Sequence, residues 1–219
     1  MSAGRGESSP NSNFSEGALY TCGGASFDPR QLEGPGDLEE SDSELGEALR
    51  RLLATPDGAM TDSGWRVVHE KEDETLVAAP SPEGEHPYVT ATFTRTEGEW
   101  KPAGWGDCLP TVALEDRSPA LWSLRSDPAP DATEVELMVT ERGCSGGREL
   151  TEANTRADVQ YLPDSVVITM SVDPLPDVGE NGGYTCVGVS PVPITVQLEE
   201  PLDGRPLIDA GSYPLLEKS

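Results

Sequence analysis

The sequence predicts an α+β fold in which an N-terminal helix packs on an antiparallel meander and is followed by a C-terminal antiparallel β-sandwich. One segment, Glu44–Ala54, has apolar residues at helical spacing, whereas several other segments alternate apolar and polar residues. The 219 residues include 23 Gly and 20 Pro. That proportion favours short strands joined by frequent turns.

The predicted helix has a single apolar face and recognisable ends. Ser41 followed by Glu44 fits a capping box, and Thr55–Gly58 (TPDG) is expected to end the helix. The apolar face is formed by Leu45, Leu49, Leu52 and Leu53. Such a stripe predicts that the helix packs on a neighbouring sheet.

The meander is predicted from the segments that follow the helix. Apolar and polar residues alternate in Trp65–Glu70 and in Val89–Thr94, and Thr75–Ala79 is a short apolar run. Glu97–Glu99 has the composition of a hairpin turn, and it leads into a strand over Trp100–Trp105. Strands this close in sequence are expected to pair as neighbours.

The sandwich is predicted from three strands with one buried face each, at Val135–Val139, Val166–Val172 and Val192–Leu198. The chain therefore divides into three parts. Residues 1–16 are small and polar and are expected to be a flexible tether. Residues 17–116 are expected to form the α+β domain, and residues 117–219 the sandwich-like domain.

The charge of the chain limits its partners. With 40 acidic residues and 15 Lys and Arg, the formal net charge is -25 at pH 7. Repulsion by phosphate groups therefore disfavours nucleic acid and anionic lipid as partners. The simplest interpretation of this negative charge is that it keeps the protein soluble. The alternative is that it attracts cations or a basic protein.

Four cysteines, Cys22, Cys108, Cys144 and Cys186, lack the close spacing of zinc ligands or of a redox C-x-x-C motif. Four cysteines allow three pairings. Cys22–Cys108 and Cys144–Cys186 are favoured because each bond stays within one predicted domain. Free buried thiols are the alternative.

Disulfides indicate an oxidising compartment, and so predict a protein that is secreted or held on the outer face of the cytoplasmic membrane. No apolar signal-peptide core and no transmembrane span is visible in the sequence. The leader is therefore expected to be missing from this chain, and membrane anchoring is expected only if a lipidated leader was removed. A cytosolic protein with free thiols is the alternative.

Several motifs resemble those of uncharacterised secreted or lipid-anchored proteins of actinobacteria. The motifs are Tyr20–Gly24 (YTCGG), Gly104–Cys108 (GWGDC), Glu141–Arg148 (ERGCSGGR) and Leu198–Asp209 (LEEPLDGRPLID). The resemblance implies export, but this chain has no lipobox cysteine near its start. It implies no activity and no catalytic residues.

Candidate ligand-binding residues are sparse. Trp100, Trp105 and Trp122 are candidates for stacking on sugar rings, although tryptophans serve more often as core anchors. Asp173, Asp177 and Glu180 gather oxygen ligands on a turn that does not match an EF-hand, and a solvated acidic surface is the simpler interpretation.

Catalytic chemistry has little support in the sequence. Neither His69 nor His86 lies in a setting typical of a serine or cysteine nucleophile. No cofactor is expected. The sequence therefore predicts an exported, non-enzymatic cell-envelope protein with a binding or scaffolding role towards an envelope protein or cell-wall component. The alternative is a carbohydrate- or cation-binding envelope module, and the third is a hydrolase with an unrecognised acidic site.

Overall fold

The computed structural model describes residues 17–55, 61–81, 84–143, 145–176 and 189–218. The chain divides into two compact units, Met1–Thr111 and Val112–Ser219. The protein is mostly β, with antiparallel sheets and, among the described residues, one α-helix.

The described residues of the first unit form one α-helix, two short 3₁₀ turns and strands β1 to β6. The turns are Pro29–Leu32 and Leu38–Glu40, and the helix α1 is Glu44–Leu53. The strands are β1 (Tyr20–Cys22), β2 (Ala25–Phe27), β3 (Arg66–Glu70), β4 (Glu74–Pro80), β5 (Tyr88–Thr96) and β6 (Glu99–Cys108). The two-residue strand β7 (Thr111–Val112) includes the last residue of this unit and the first of the next.

Helix α1 forms where the leucine spacing predicts it, but its N-cap is not Ser41. The hydroxyl of Ser43 accepts a hydrogen bond from Gly46 N at 3.0 Å, so Ser43 is the cap. The hydroxyl of Ser41 accepts instead from Ser43 N at 3.1 Å. The capping box read from Ser41 and Glu44 is therefore wrong by two residues.

Strands β3 to β6 form a four-stranded antiparallel meander in sequence order. Glu97 and Gly98 join β5 to β6, and both have positive φ (55° and 84°), as a two-residue type I′ hairpin requires. The leucine face of α1 shares one core with this sheet. That core contains Leu45, Leu49, Leu52, Trp65, Val77, Val89, Ala91, Phe93 and Trp100.

A second, three-stranded sheet has the order β2-β1-β7. The hairpin of β1 and β2 pairs Tyr20 with Phe27, and both side chains are buried. Cys22 at the end of β1 forms a disulfide with Cys108 at the end of β6, with a Cα–Cα distance of 6.1 Å. The disulfide attaches the N-terminal hairpin to the end of the meander.

The second unit is built from strands alone among the residues described. Its strands are β8 (Ser118–Leu124), β9 (Glu134–Glu141), β10 (Thr155–Tyr161), β11 (Val166–Val172), β12 (Val192–Gln197), β13 (Leu207–Asp209) and β14 (Leu216–Lys218). They form one sheet in the order β12-β9-β8-β11-β13-β14, and β10 pairs with β11. The pairing of β11 with β13 is parallel, and the other pairings are antiparallel.

This sheet curls into a half-barrel around a single core. The inward residues come from five strands and include Trp122, Leu137, Val139, Ile168, Met170, Ile194 and Val196. Strand β11 lies at the centre, and all seven of its residues are buried. The prediction of one buried face for Val166–Val172 is therefore wrong, because neighbouring structure covers both faces of this strand.

Candidate functional site

The predicted disulfide Cys22–Cys108 is confirmed. Cys144 and Cys186 lie outside the described residues, so their pairing stays a prediction. Trp105, three residues before Cys108 on β6, has a half-exposed side chain.

The three candidate sugar-stacking tryptophans do not form one platform. Trp100 lies in the core of the first unit and Trp122 in the core of the second. Arg95 lies 5.2 Å from the ring centre of Trp100, and Lys218 lies 5.2 Å from that of Trp122. Two of the three rings are therefore engaged in cores and cation–π contacts, where a sugar cannot stack on them.

The candidate cation ligands are only partly described. The Asp173 carboxylate is bound by the guanidinium of Arg117, whereas Asp177 and Glu180 lie outside the described residues. Within the described ranges, no group of three or more His, Cys, Asp or Glu side chains is placed to hold a metal ion. A cation site at Asp173 therefore stays a prediction.

Two free strand edges in the second unit form the best-developed candidate site. In the described part of the chain, β10 pairs only with β11, and β12 pairs only with β9. Both edges line one groove of about 400 Å³. Its wall contains consecutive residues from each strand, Thr155–Ala157 on β10 and Ile194–Gln197 on β12. Consecutive lining residues show that main-chain edges, and not only side chains, face the groove.

The direction of the strands explains why these edges do not pair with each other. Each step from β10 through β11, β8 and β9 to β12 is antiparallel. Four reversals leave β10 and β12 running in the same direction. A direct pairing would therefore be parallel, whereas one additional strand, antiparallel to both, would continue the antiparallel pattern and close the barrel.

Pro193 identifies which main-chain groups of β12 face the groove. Pro193 lies opposite Met138 of β9. Proline has no N–H to donate, so in a sheet it occupies positions whose N–H side faces away from the neighbouring strand. Thr195 and Gln197 lie two and four residues further on. Their N–H and C=O groups therefore also face the groove, where they are available to a further strand.

The side chains around the groove present an apolar floor and a polar rim. Ala157 and Val159 line the groove and pack against the core, but they are only partly buried. On the rim, Arg156 pairs with Asp158 at 2.7 Å, and both side chains are exposed. An extended segment with alternating apolar and polar residues matches this pattern.

Tyr161 closes one end of the groove. Its hydroxyl accepts a hydrogen bond from Glu199 N, just beyond β12, at 2.7 Å. The guanidinium of Arg205 lies 5.7 Å from the centre of the Tyr161 ring. Since a tyrosine side chain is needed to connect the two strands here, the strands are held apart at this end and are not hydrogen-bonded to each other.

The sequence did not predict this site. The pattern of Thr155–Tyr161 alternates, but only Ala157, Val159 and Tyr161 mark its inner face. That weak alternation was the available signal for β10. An unpaired strand edge cannot be recognised from the local sequence, because it depends on which distant strands pair.

Comparisons of the chain with protein-family models, curated proteins and solved structures found no match. Among the described residues, no helix has both the length and the apolar character needed to cross a membrane.

Proposed function

We propose that the protein is an exported, non-enzymatic cell-envelope protein whose C-terminal unit binds an extended segment of a partner protein. The observation that carries this proposal is the groove between β10 and β12, where two strand edges run in the same direction. The segment would add as one strand, antiparallel to both edges, in the mode known as β-augmentation.

The net charge of the protein and the floor of the groove define the chemistry of the partner segment. The formal net charge of -25 favours a basic segment, because long-range attraction speeds association with a positive partner. The inward residues Ala157 and Val159 favour apolar residues at every second position of that segment. The edges of seven and six residues set its length at about six residues.

Export and envelope location are supported by the Cys22–Cys108 disulfide, since such bonds persist in oxidising compartments. The likeness to secreted or lipid-anchored proteins of actinobacteria points the same way. The curled sheet enclosing one core is compatible with the predicted β-sandwich, and we retain that architecture as part of the proposal.

The proposal is tested with a peptide array and one edge variant. The array holds hexapeptides in which Val or Ala alternates with Lys, Thr or Gln, together with scrambled peptides of the same composition. Hits are measured in solution by fluorescence anisotropy. Thr195→Pro removes a groove-facing N–H and should weaken binding at least about tenfold. Thr195→Val keeps the N–H and is the matched control.

Two results would contradict the proposal. One is equal binding of alternating and scrambled peptides, which would mean that no strand is added. The other is undiminished binding by a folded Thr195→Pro protein. Added salt should also weaken binding of the basic peptides, because screening reduces the long-range attraction.

A second candidate function, carbohydrate binding, is favoured by Trp105 alone. Its side chain is 50% exposed in a groove of about 300 Å³. Gly104 and Gly106, its neighbours on β6, line the same groove and carry no side chains. Tryptophan fluorescence during titration with cell-wall oligosaccharides tests this candidate. A fluorescence response that persists in Trp105→Ala would come from another tryptophan, and it would exclude Trp105 as the carbohydrate site.

A further inference from the structure

Strand β14 lies at one edge of the sheet of the second unit, and Lys218 connects it to the interior. The strand pairs antiparallel with β13, with Leu216 opposite Asp209 and Lys218 opposite Leu207. All three residues of β13 are buried, whereas Leu216 and Glu217 of β14 are exposed. Because little apolar surface of β14 is removed from water, hydrophobic burial contributes little to its attachment.

The side chain of Lys218 projects towards the core of this unit. Residues directly opposite each other in an antiparallel pair project to the same face, and Leu207, opposite Lys218, belongs to the core. The ammonium group of Lys218 lies 3.1 Å from Oδ2 of Asp209 and 5.2 Å from the ring centre of Trp122. The lysine therefore makes an ion pair and a cation–π contact at the same time.

The carboxylate of Asp209 is fixed in the orientation that receives this positive charge. Its side chain is only 2% exposed, and Oδ1 accepts a hydrogen bond from Gly211 N at 2.8 Å. A Cβ at Gly211 would lie 3.0 Å from the same oxygen, so glycine suits this close approach. The backbone thus holds one carboxylate oxygen and leaves the other directed at the Lys218 ammonium. Arg142 adds a longer-range attraction.

The buried charge of Asp209 favours a state in which a cation is always present. A buried carboxylate that loses its cation is strongly destabilised, because it keeps the cost of desolvation without the compensating attraction. A second chain that brought its own lysine to the edge of β13 would restore the ion pair, the cation–π contact with Trp122 and the main-chain pairing. The net charge of -25 favours the same kind of partner.

We propose that β13, Asp209 and Trp122 form a binding site for an extended, lysine-bearing segment of a partner protein, and that β14 occupies this site in the unbound protein. The partner segment runs antiparallel to β13 and places its lysine where the Lys218 ammonium lies. Strand β14 is then an internal competitor, and it weakens partner binding in proportion to the fraction of molecules in which it is in place. The site does not rest on peptide binding in the groove between β10 and β12.

The test compares two peptides with blocked ends on the full chain. One has the sequence of residues 214–219, PLLEKS, and the other has norleucine in place of its lysine. Isothermal titration calorimetry should show that Lys218→Met binds PLLEKS at least about tenfold more tightly than the wild type does, because the internal competitor is weakened. Lys218→Met should bind the norleucine peptide at least about tenfold more weakly than PLLEKS, since that peptide brings no charge to Asp209.

Two variants serve as controls. Glu217 lies opposite Ile208, on the face of β14 turned away from Asp209, so Glu217→Gln should bind both peptides as the wild type does. Asp209→Asn combined with Lys218→Met removes both members of the ion pair. This double variant should bind the two peptides with equal affinity, because the charge that selects lysine is gone.

Equal affinity of Lys218→Met and the wild type for PLLEKS would overturn the proposal, and so would equal affinity of Lys218→Met for the two peptides. If Lys218→Met does not fold, the wild type supplies the measurement. Hydrogen exchange of the β14 amides should rise at least about threefold in about 10 mM PLLEKS and stay unchanged in the norleucine peptide, because only the lysine peptide displaces β14. An equal rise with both peptides, or no rise, would contradict the assignment.

Discussion

Tyr88, at the start of β5, is a partly buried tyrosine whose ionisation is set by its surroundings. Burial raises the pKa of its phenol above the usual value of 10.0, and the negative charge of Glu33 acts in the same direction. The positive charge of Arg66 opposes them without cancelling the effect. Arg66 is itself held by the carbonyl oxygens of Leu32 and Gly34, at 2.7 and 2.6 Å.

A pH dependence follows for the stability of the first unit. Because the pKa of Tyr88 is raised in the folded state, its contribution is fully present below about pH 10 and is lost as the pH rises through the folded-state pKa. The wild type should therefore lose more stability than Tyr88→Phe between about pH 10 and pH 11. Urea unfolding at several pH values measures this difference, with pH 8 as the internal reference. Equal losses in both proteins would contradict the assignment.

At the scale of secondary-structure elements, local pattern predicts α1, β5 and β9 well. Each has one apolar face against one polar face, so its period of 3.6 or 2 appears in the sequence. Strand β11 is different because both its faces are covered, and the polar residues Thr169 and Ser171 are buried with the rest. Whether a face is covered depends on distant segments, which local alternation does not record.

The candidate sites were harder to predict than the elements. The groove depends on the order in which β12, β9, β8, β11 and β10 pair, which is a long-range property. Trp100 and Trp122 show the opposite case, in which a residue type suggests a ligand but packing assigns it to a core.

Gly46 in α1 provides a prediction at this scale. A Cβ added there would lie 2.6 Å from the carbonyl oxygen of Ser41 and 2.7 Å from that of Leu38. In an exposed helix interior, replacing glycine by alanine stabilises by about 1 kcal/mol. Here Gly46→Ala should instead destabilise by about 1–3 kcal/mol, because backbone atoms must move to make room. Urea unfolding followed by circular dichroism measures the change.

The neighbouring Glu47 supplies the control. Its side chain is exposed, and its contact with Arg51 is 3.9 Å long. Glu47→Ala should therefore change stability by no more than about 0.5 kcal/mol. If Gly46→Ala proved as stable as Glu47→Ala, the close approach of Ser41 and Leu38 to the helix would be disproved.

At the scale of the whole molecule, the disulfide constrains only one of the two units. Cys22 and Cys108 both belong to the first unit, and they are 86 positions apart in the sequence. A cross-link of this span restricts the unfolded chain and stabilises by about 4 kcal/mol in the chain-entropy model. That stabilisation belongs to the first unit, since the second lies outside the closed loop.

Replacing both cysteines, as Cys22→Ser with Cys108→Ser, should therefore lower the stability of the first unit by about 4 kcal/mol. The fluorescence of Trp100 and Trp122, each kept as the sole tryptophan in a Phe-substituted background, reports on the two units separately. The Trp100 signal should move to lower urea concentration and the Trp122 signal should stay. Equal movement of both would show that the units unfold together.

The compartment can be tested on the protein purified from its own host organism. Peptide mapping after alkylation without reduction should recover Cys22 cross-linked to Cys108. Recovery of both as alkylated thiols would contradict export, because it would place the protein in a reducing compartment.

The same cross-link determines how the chain transmits tension. A force applied at the two ends of the chain passes through the covalent bond between Cys22 and Cys108, so the residues between them carry no load. That part of the chain can lengthen only slightly beyond the 6.1 Å between the two Cα atoms. Without the bond, the 86 intervening steps would extend by about 300 Å. At a cell surface the first unit would thus act as an inextensible link, and its helix and meander would stay folded under a pull that unravels the second.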